Sequence, residues 1–328
     1  MFLKTPNFWR KRTIVSTLLL PISYLYYLGS IIIQLFTTKN TADIPIICVG
    51  NVTVGGAGKT PFTIALYYLL KKYGYSPAII SRGYGGTLQG PIKVDPELHS
   101  FKEVGDEPLL MAKQMPVFIA KKRYLAINLL KEHNFNVAIL DDGLQNPDLK
   151  KDISLLVING ITALGNDYMF PAGPLREPLR KALQKSDAVI IIDHDRTCFA
   201  HRVNKPVIRG SIESASTQDL MRKKVVAFAG IAYPEKFFSS LESLSCNVIN
   251  TKKFPDHHVY KDEELEQLIM QAKNNSALLI TTEKDYMRIP EKYHKDILTL
   301  PIKISIDREN EEKIKSLLYK FNQKQITK

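Results

Sequence analysis

The chain has 328 residues, 45% apolar and 24% charged, which excludes a disordered tail or a fibrous repeat and leaves room for two ordinary domains. Its formal net charge of +12 suits an anionic partner, whether nucleic acid, acidic lipid headgroups or a phosphorylated substrate, and does not choose among them. The three cysteines, Cys48, Cys198 and Cys246, contain no CxxC pair, which excludes a disulfide frame and a zinc cluster.

Residues 14–36 carry no charged side chain and follow Trp9-Arg10-Lys11-Arg12. The stretch is long enough to cross a bilayer, and no small-residue cleavage site follows it. The basic cluster should stay cytoplasmic, so a true span would put everything after it outside, away from the nucleotide that the later motifs require. Pro21 and Gly29 interrupt the run, Ser16, Ser23 and Ser30 recur along it, and Tyr24, Tyr26 and Tyr27 suit an interface. We therefore expect a broken helix that dips into the cytoplasmic leaflet. The alternative is a helix packed on the protein itself.

Short apolar runs follow at 45–50, 76–81, 116–120, 137–140, 153–158 and 188–192, and a helical pattern at 60–73 follows the first. Strands alternating with helices predict an α/β fold of the phosphate-loop NTPase type, a mostly parallel sheet flanked by helices. A second, smaller α/β domain is expected from a strand at 225–229, helices at 234–244 and 262–273, and a strand at 277–281. The polar stretch 209–222 reads as the linker. The expected organisation is an apolar membrane-associating helix over 1–40, a phosphate-loop core over 41–210 and a C-terminal domain over 211–328. A last helix near 308–321 fits either domain.

The strongest chemical signal is Thr53-Val54-Gly55-Gly56-Ala57-Gly58-Lys59-Thr60, set between a strand and a helix. Glycines let backbone N–H groups approach phosphate oxygens, Lys59 reaches the terminal phosphates, and the Thr60 hydroxyl can ligate Mg²⁺. Thr53 stands where the motif usually has its first glycine. Asp141 and Asp142 end an apolar strand at the carboxyl edge, where a magnesium-organising acid belongs. Asp106 and Glu107 precede Pro108 in a loop whose plain reading is a helix cap, with a carboxylate accepting a hydroxyl proton as the functional alternative. The Ser81-Arg82-Gly83-Tyr84-Gly85-Gly86 loop suits a polar substrate, and the loop around Arg176 presents a cation fit for phosphoryl charge. Asp256-His257-His258 and Thr281-Thr282-Glu283-Lys284-Asp285 place polar clusters in the second domain.

The motifs TVGGAGKTP, SRGYGG, GDEP, AILDDGLQ, GPLREP, FPDHH and TTEKD, in this order, resemble those of the tetraacyldisaccharide 4'-kinase family of lipid A synthesis, over about residues 8–288. The resemblance implies that the loop from Thr53 to Thr60, with Gly55, Gly56, Ala57, Gly58 and Lys59, holds ATP. It implies that Thr60, Asp141, Asp142 and Glu107 organise Mg²⁺. Asp106 would be the base facing the sugar hydroxyl, oriented by His257, with Arg176 at the transferring phosphoryl group. Arg123 and Gln145 would complete the shell on the substrate side, and Tyr84 would lie along the acceptor path. The implied partners are the lipid A disaccharide precursor and an anionic membrane surface, with no nucleic acid, for a monomer on the cytoplasmic face of the inner membrane. The competing reading is a DNA-partitioning or metal-insertion ATPase, but Val54 stands where such loops usually carry an extra lysine.

Overall fold

The computed structural model describes residues 6–214 and 220–326. Strands β1 (Ile46–Gly50), β2 (Pro77–Ser81), β3 (Ile92–Lys93), β4 (Val117–Ile119), β5 (Val137–Asp141), β6 (Ile153–Asn159), β7 (Ala188–Ile192) and β8 (Val207–Ser214) belong to one sheet. A second sheet takes β9 (Lys224–Ala229), β10 (Asn247–Lys253), β11 (Leu278–Thr282) and β12 (Leu298–Leu300), and β13 (Ile302–Ser305) returns to the first. The described helices are α1 (Ile14–Leu18), α2 (Leu20–Leu35), α3 (Lys59–Lys72), α4 (Phe101–Val104), α5 (Asp106–Ala112), α6 (Leu125–Glu132), α7 (Leu179–Lys185), α8 (Pro234–Ser243), α9 (Asp262–Asn274), α10 (Glu283–Tyr286) and α11 (Arg308–Ile326).

The first sheet runs β13-β8-β7-β6-β1-β5-β2-β4-β3, and the second runs β10-β9-β11-β12. Pairing in the first sheet is parallel except at its two edges, β3 on β4 and β13 on β8. The chain passes from β1 to β2 on one side and later to β6 on the other. The carboxyl end of β1 is thus a switch point, where an open parallel sheet leaves a crevice for a ligand. β1 is wholly buried, as its unbroken apolar run requires of a central strand. Ile47 and Val49 face a core that includes Phe62 and Leu66 of α3, whereas Ile46 and Cys48 face one that includes Ala126 of α6 and Ala182 of α7. Alternation along one strand thereby supplies both faces with apolar surface.

The stretch expected as a linker begins inside a strand. Along β8, Ile208 and Gly210 are buried while Arg209, Ser211 and Glu213 are exposed. The period of two is there, but polar residues on the solvent face hide it. The middle of that stretch, 215–219, lies outside the described residues. The last helix, left open by the sequence, packs on the first sheet: Ile314 and Leu318 join the core of Phe62 and Leu66, and Glu311 accepts from Lys72 at 2.5 Å and from Tyr73 at 2.9 Å. With β13, it makes the first sheet draw on residues from both sides of the expected boundary at 211.

The N-terminal apolar segment is two helices broken at Leu19, with Pro21 in the first turn of α2. No described helix is long and apolar enough to cross a membrane. One face docks on the protein. Ser23 is fully buried, donates to the Met169 carbonyl at 2.8 Å and accepts from the Ala172 amide at 3.1 Å, and Trp9 Nε1 donates to the Pro171 carbonyl at 2.9 Å. The other face leaves Ile14, Leu18, Leu25, Ile33, Leu35 and Phe36 between 66% and 86% exposed. Ser23, one of the recurring serines, therefore marks the docked side of an amphipathic element.

Candidate active site

β1 delivers the chain into the phosphate loop, and α3 starts at Lys59 immediately after Gly58. Gly58 sits at φ 89, a conformation that a side chain would strain, and an added Cβ would lie 3.3 Å from Ile192. The loop is anchored from outside: the Val54 amide donates to the Pro174 carbonyl at 2.7 Å and the Arg176 amide to the Val52 carbonyl at 2.8 Å. These bonds hold the GPLREP loop against the phosphate loop and so deliver Arg176 to its edge. Lys59 Nζ donates to Asn51 Oδ1 at 3.0 Å and lies 3.5 Å from Asp142 Oδ1. Ala57 is buried, and Thr53, Gly55 and Thr60 are half-buried.

β1 and β5 pair so that Val49 lies opposite Asp141, which places the acidic strand end beside the phosphate loop. Asp142 turns at φ 52, and Arg176 Nη1 donates to its two carboxylate oxygens at 3.0 and 2.9 Å. Burial pushes the Asp142 carboxyl up, but Lys59, Arg176 and Arg123 outweigh it and hold the group well below its ordinary value. Asp141 is pushed the other way, by burial and by the charges of Glu107 and Asp142, against the pull of Lys59 and Arg123. Thr63 Oγ1 lies 3.4 Å from Asp141 Oδ1. Among the described residues no group of three His, Cys, Asp or Glu side chains is arranged to hold a metal. Thr60, Asp141, Asp142 and Glu107 would offer Mg²⁺ hard oxygens, the kind of donor it takes.

The second acidic pair opens α5. Gly105 stands at φ 91, and a Cβ there would lie 2.4 Å from the Tyr84 carbonyl, so the SRGYGG loop lies directly on the turn that aims Asp106. Asp106 is 4% exposed, and its partners come from the second sheet. His257, at φ 57, follows β10 and brings Nδ1 to 2.9 Å from Asp106 Oδ2. Lys284 of α10 lies 3.3 Å from His257 Nε2 and 2.9 Å from Glu107 Oε1. An ammonium has only donors, so Nε2 accepts and Nδ1 carries the proton given to Asp106; the tautomer is assigned from this network. Arg288 Nε lies 3.3 Å from Asp106 Oδ2, a charge contact rather than a hydrogen bond. Burial pushes the Asp106 carboxyl up, but the His257 hydrogen bond, Lys284 and Arg288 outweigh it and bring it down to about 2. Asp106 is thus ionised at neutral pH, as a proton acceptor must be.

The remaining candidates divide by position. Tyr84 is 58% exposed, with its ring 5.5 Å from that of His257, open to a ligand. Of the two residues expected on the substrate side, Arg123 is buried behind Asp142 while Gln145 is half-buried. Arg123 is 4% exposed and donates to the Asp142 carbonyl at 3.0 Å. Gln145 donates to the Asn51 carbonyl at 2.8 Å and to Glu177 at 3.1 Å. Lys284 and Arg288 received no role from the sequence. Their signal was the TTEKD strand end, where Thr282 caps α10 by accepting from the Asp285 amide and so aims the next turn at α5. Tyr233, unmarked by any motif, lies 3.5 Å from where a Cβ on Gly55 would sit.

Residues 15–321 match the LpxK family, tetraacyldisaccharide-1-P 4'-kinase. The chain is 39% identical over 318 residues to the tetraacyldisaccharide 4'-kinase of Rhodopseudomonas palustris strain BisA53, covering 94% of this chain and 93% of the relative. It is 40% identical over 326 residues to that of Bradyrhizobium diazoefficiens, covering 96% of each. Its fold is similar to the solved structure of LpxK from Aquifex aeolicus in complex with ATP, with a TM-score of 0.76, 30% identity, and coverage of 94% of this chain and 99% of that one.

Proposed function

The chain belongs to the tetraacyldisaccharide-1-P 4'-kinase family, and on that premise we propose that it transfers the γ-phosphoryl group of ATP to the 4'-hydroxyl of the tetraacyldisaccharide 1-phosphate precursor of lipid A. The observation that carries the reading is the hydrogen bond between Asp106 and His257, which joins the two sheets beside the phosphate loop.

ATP lies along the loop from Thr53 to Thr60, its phosphates met by backbone N–H groups and by the N-terminus of α3. Lys59 and Arg176 stabilise negative charge on the transferring group. Both now pair with Asp142, and the phosphates of an entering nucleotide would compete with that carboxylate for them. Thr60, Asp141, Asp142 and Glu107 would hold Mg²⁺, which would supply further neutralisation of phosphate charge. Asp106 accepts the proton of the sugar hydroxyl as its oxygen attacks phosphorus. His257 keeps that carboxylate in one orientation, and Lys284 fixes the imidazole tautomer. Closing the second sheet over the first excludes water, which would otherwise take the phosphoryl group.

The exposed apolar face of α1 and α2 lies on the cytoplasmic face of the inner membrane, where the acyl chains of the acceptor remain. Arg10, Lys11 and Arg12 add attraction to anionic lipid there. A DNA-partitioning ATPase would leave this face and the Asp106–His257 contact without a use. Incubation of the purified chain with radiolabelled ATP and the lipid disaccharide 1-phosphate tests the reading. Label is expected in the lipid; ATP turnover that depends on DNA and ignores the lipid would overturn it.

A further inference from the structure

The end of α2, the loop at 144–151 and α7 border a half-open cavity of about 470 Å³. Lys39, Lys150, Lys151, Lys181 and Lys185 line it, and no acidic residue does. Lys185 is paired with Glu177 at 2.6 Å. Among the described residues no carboxylate forms an ion pair with the other four. Lys151 donates to the Asn146 carbonyl, and Lys181 lies 5.2 Å from the centre of the Tyr27 ring. Burial pushes Lys151 below its ordinary value; Arg123 and Lys185 add to that against the pull of Cys48 and Asp148. Cations gathered this way repel one another, and an anion among them removes the penalty.

Apolar residues share the lining with the lysines. Ile31 and Leu35 of α2 line the cavity, and Ile32, Ile33 and Phe36 continue outward at 47%, 66% and 86% exposure. Such a cavity accepts an amphiphile, its phosphate among ammonium groups and its chains along the exposed face of α2. It shares Gln145 with the residues expected near the acceptor, but it lies away from Asp106. Asp106 opens the helix that leads into β4, beyond β2 and β5 from β1, whereas the cavity borders Ser154 of β6 and α7 on the other side of β1. We propose that this cavity docks the phosphate headgroup of an anionic membrane phospholipid, and so sets the height and tilt of the enzyme on the bilayer. The inference rests on the membrane reading of α1 and α2, and not on the identity of the acceptor.

The test is co-sedimentation of the full chain with phosphatidylglycerol or phosphatidylcholine vesicles at fixed salt. The variant K150Q/K151Q/K181Q is compared with K223Q/K224Q/K295Q, which removes the same charge from exposed positions beyond the cavity. ATP binding serves as the check that each variant is folded, and K150Q alone, at an exposed position, stands in if the triple variant fails it. The cavity variant should lose about tenfold or more of its affinity for phosphatidylglycerol, the control about twofold at most, and neither should change on phosphatidylcholine. Equal losses in the two variants would reduce the effect to diffuse charge and overturn the proposal. Unchanged vesicle binding with a raised KM for detergent-dispersed acceptor would give the cavity to the acceptor's own phosphate, and would also overturn it. Phosphoryl transfer by the wild type is assayed on the same preparation. Its absence would sink the kinase reading while leaving the vesicle comparison intact.

Discussion

Two acidic pairs flank the phosphate loop, and they are held in opposite ways. Asp141 and Asp142 end β5, and the cations that meet Asp142, namely Lys59, Arg123 and Arg176, all come from the first sheet and its loops. Asp106 and Glu107 open α5 on that same sheet, yet His257, Lys284 and Arg288, which meet them, come from the second. The first arrangement exists whether or not the two sheets meet; the second exists only when they do. On the roles proposed above, the cations at Asp142 are in place without the second sheet, while those at Asp106 depend on it.

The largest effect should come from the first region. Lys59→Ala removes the cation at the transferring phosphates and should lower kcat about 10³–10⁵-fold, with the thermal midpoint nearly unchanged because the ammonium serves a polar site rather than the core. Wild-type turnover in the folded variant would remove the phosphate loop from the chemistry. Lys284→Ala probes the second region. It frees Glu107 and lets the His257 ring choose its tautomer, and should lower kcat about 10²-fold while ATP affinity stays within about threefold. A collapse of ATP affinity instead would mean that the two regions are one unit, and the contrast drawn above would fail. The smallest effect on chemistry should follow deletion of residues 1–36. ATP affinity should be retained, since the loop begins beyond the deletion. Membrane association should fall sharply through loss of apolar surface worth roughly 25 cal/mol per Å², as fractionation would reveal.

The sequence exposed these two regions unequally, for a physical reason. The phosphate loop and the Asp141–Asp142 strand end are local: a buried apolar run, a turn and a helix start each leave their signature within a few residues. β1, β5 and β7 were legible for the same reason, since central parallel strands are apolar throughout. β8 was not, because Arg209, Ser211 and Glu213 on its solvent face made it read as a linker. The role of His257, and the choice of proton acceptor over helix cap for Asp106, came only through family resemblance. Nothing local tells a carboxylate in a helix cap from one whose partner lies 151 residues away. Lys284 and Arg288 stayed silent because a cation after a strand looks like any solvated residue until the two sheets are brought together. The inward placement of Arg123 was equally hidden, since depth beneath a site is a property of packing rather than of residue type.

The central claim is that Asp106 and His257 act as one proton-accepting unit assembled by closure. It is tested most directly by a double-mutant cycle on kcat for phosphoryl transfer to the lipid acceptor, with ATP affinity measured alongside. Asp106→Ala should cost about 10²–10⁴-fold, His257→Ala somewhat less, and the double variant no more than Asp106→Ala alone, because His257 works through the carboxylate. Losses that multiply in the double variant would show two independent roles, and the account of a single unit would be wrong.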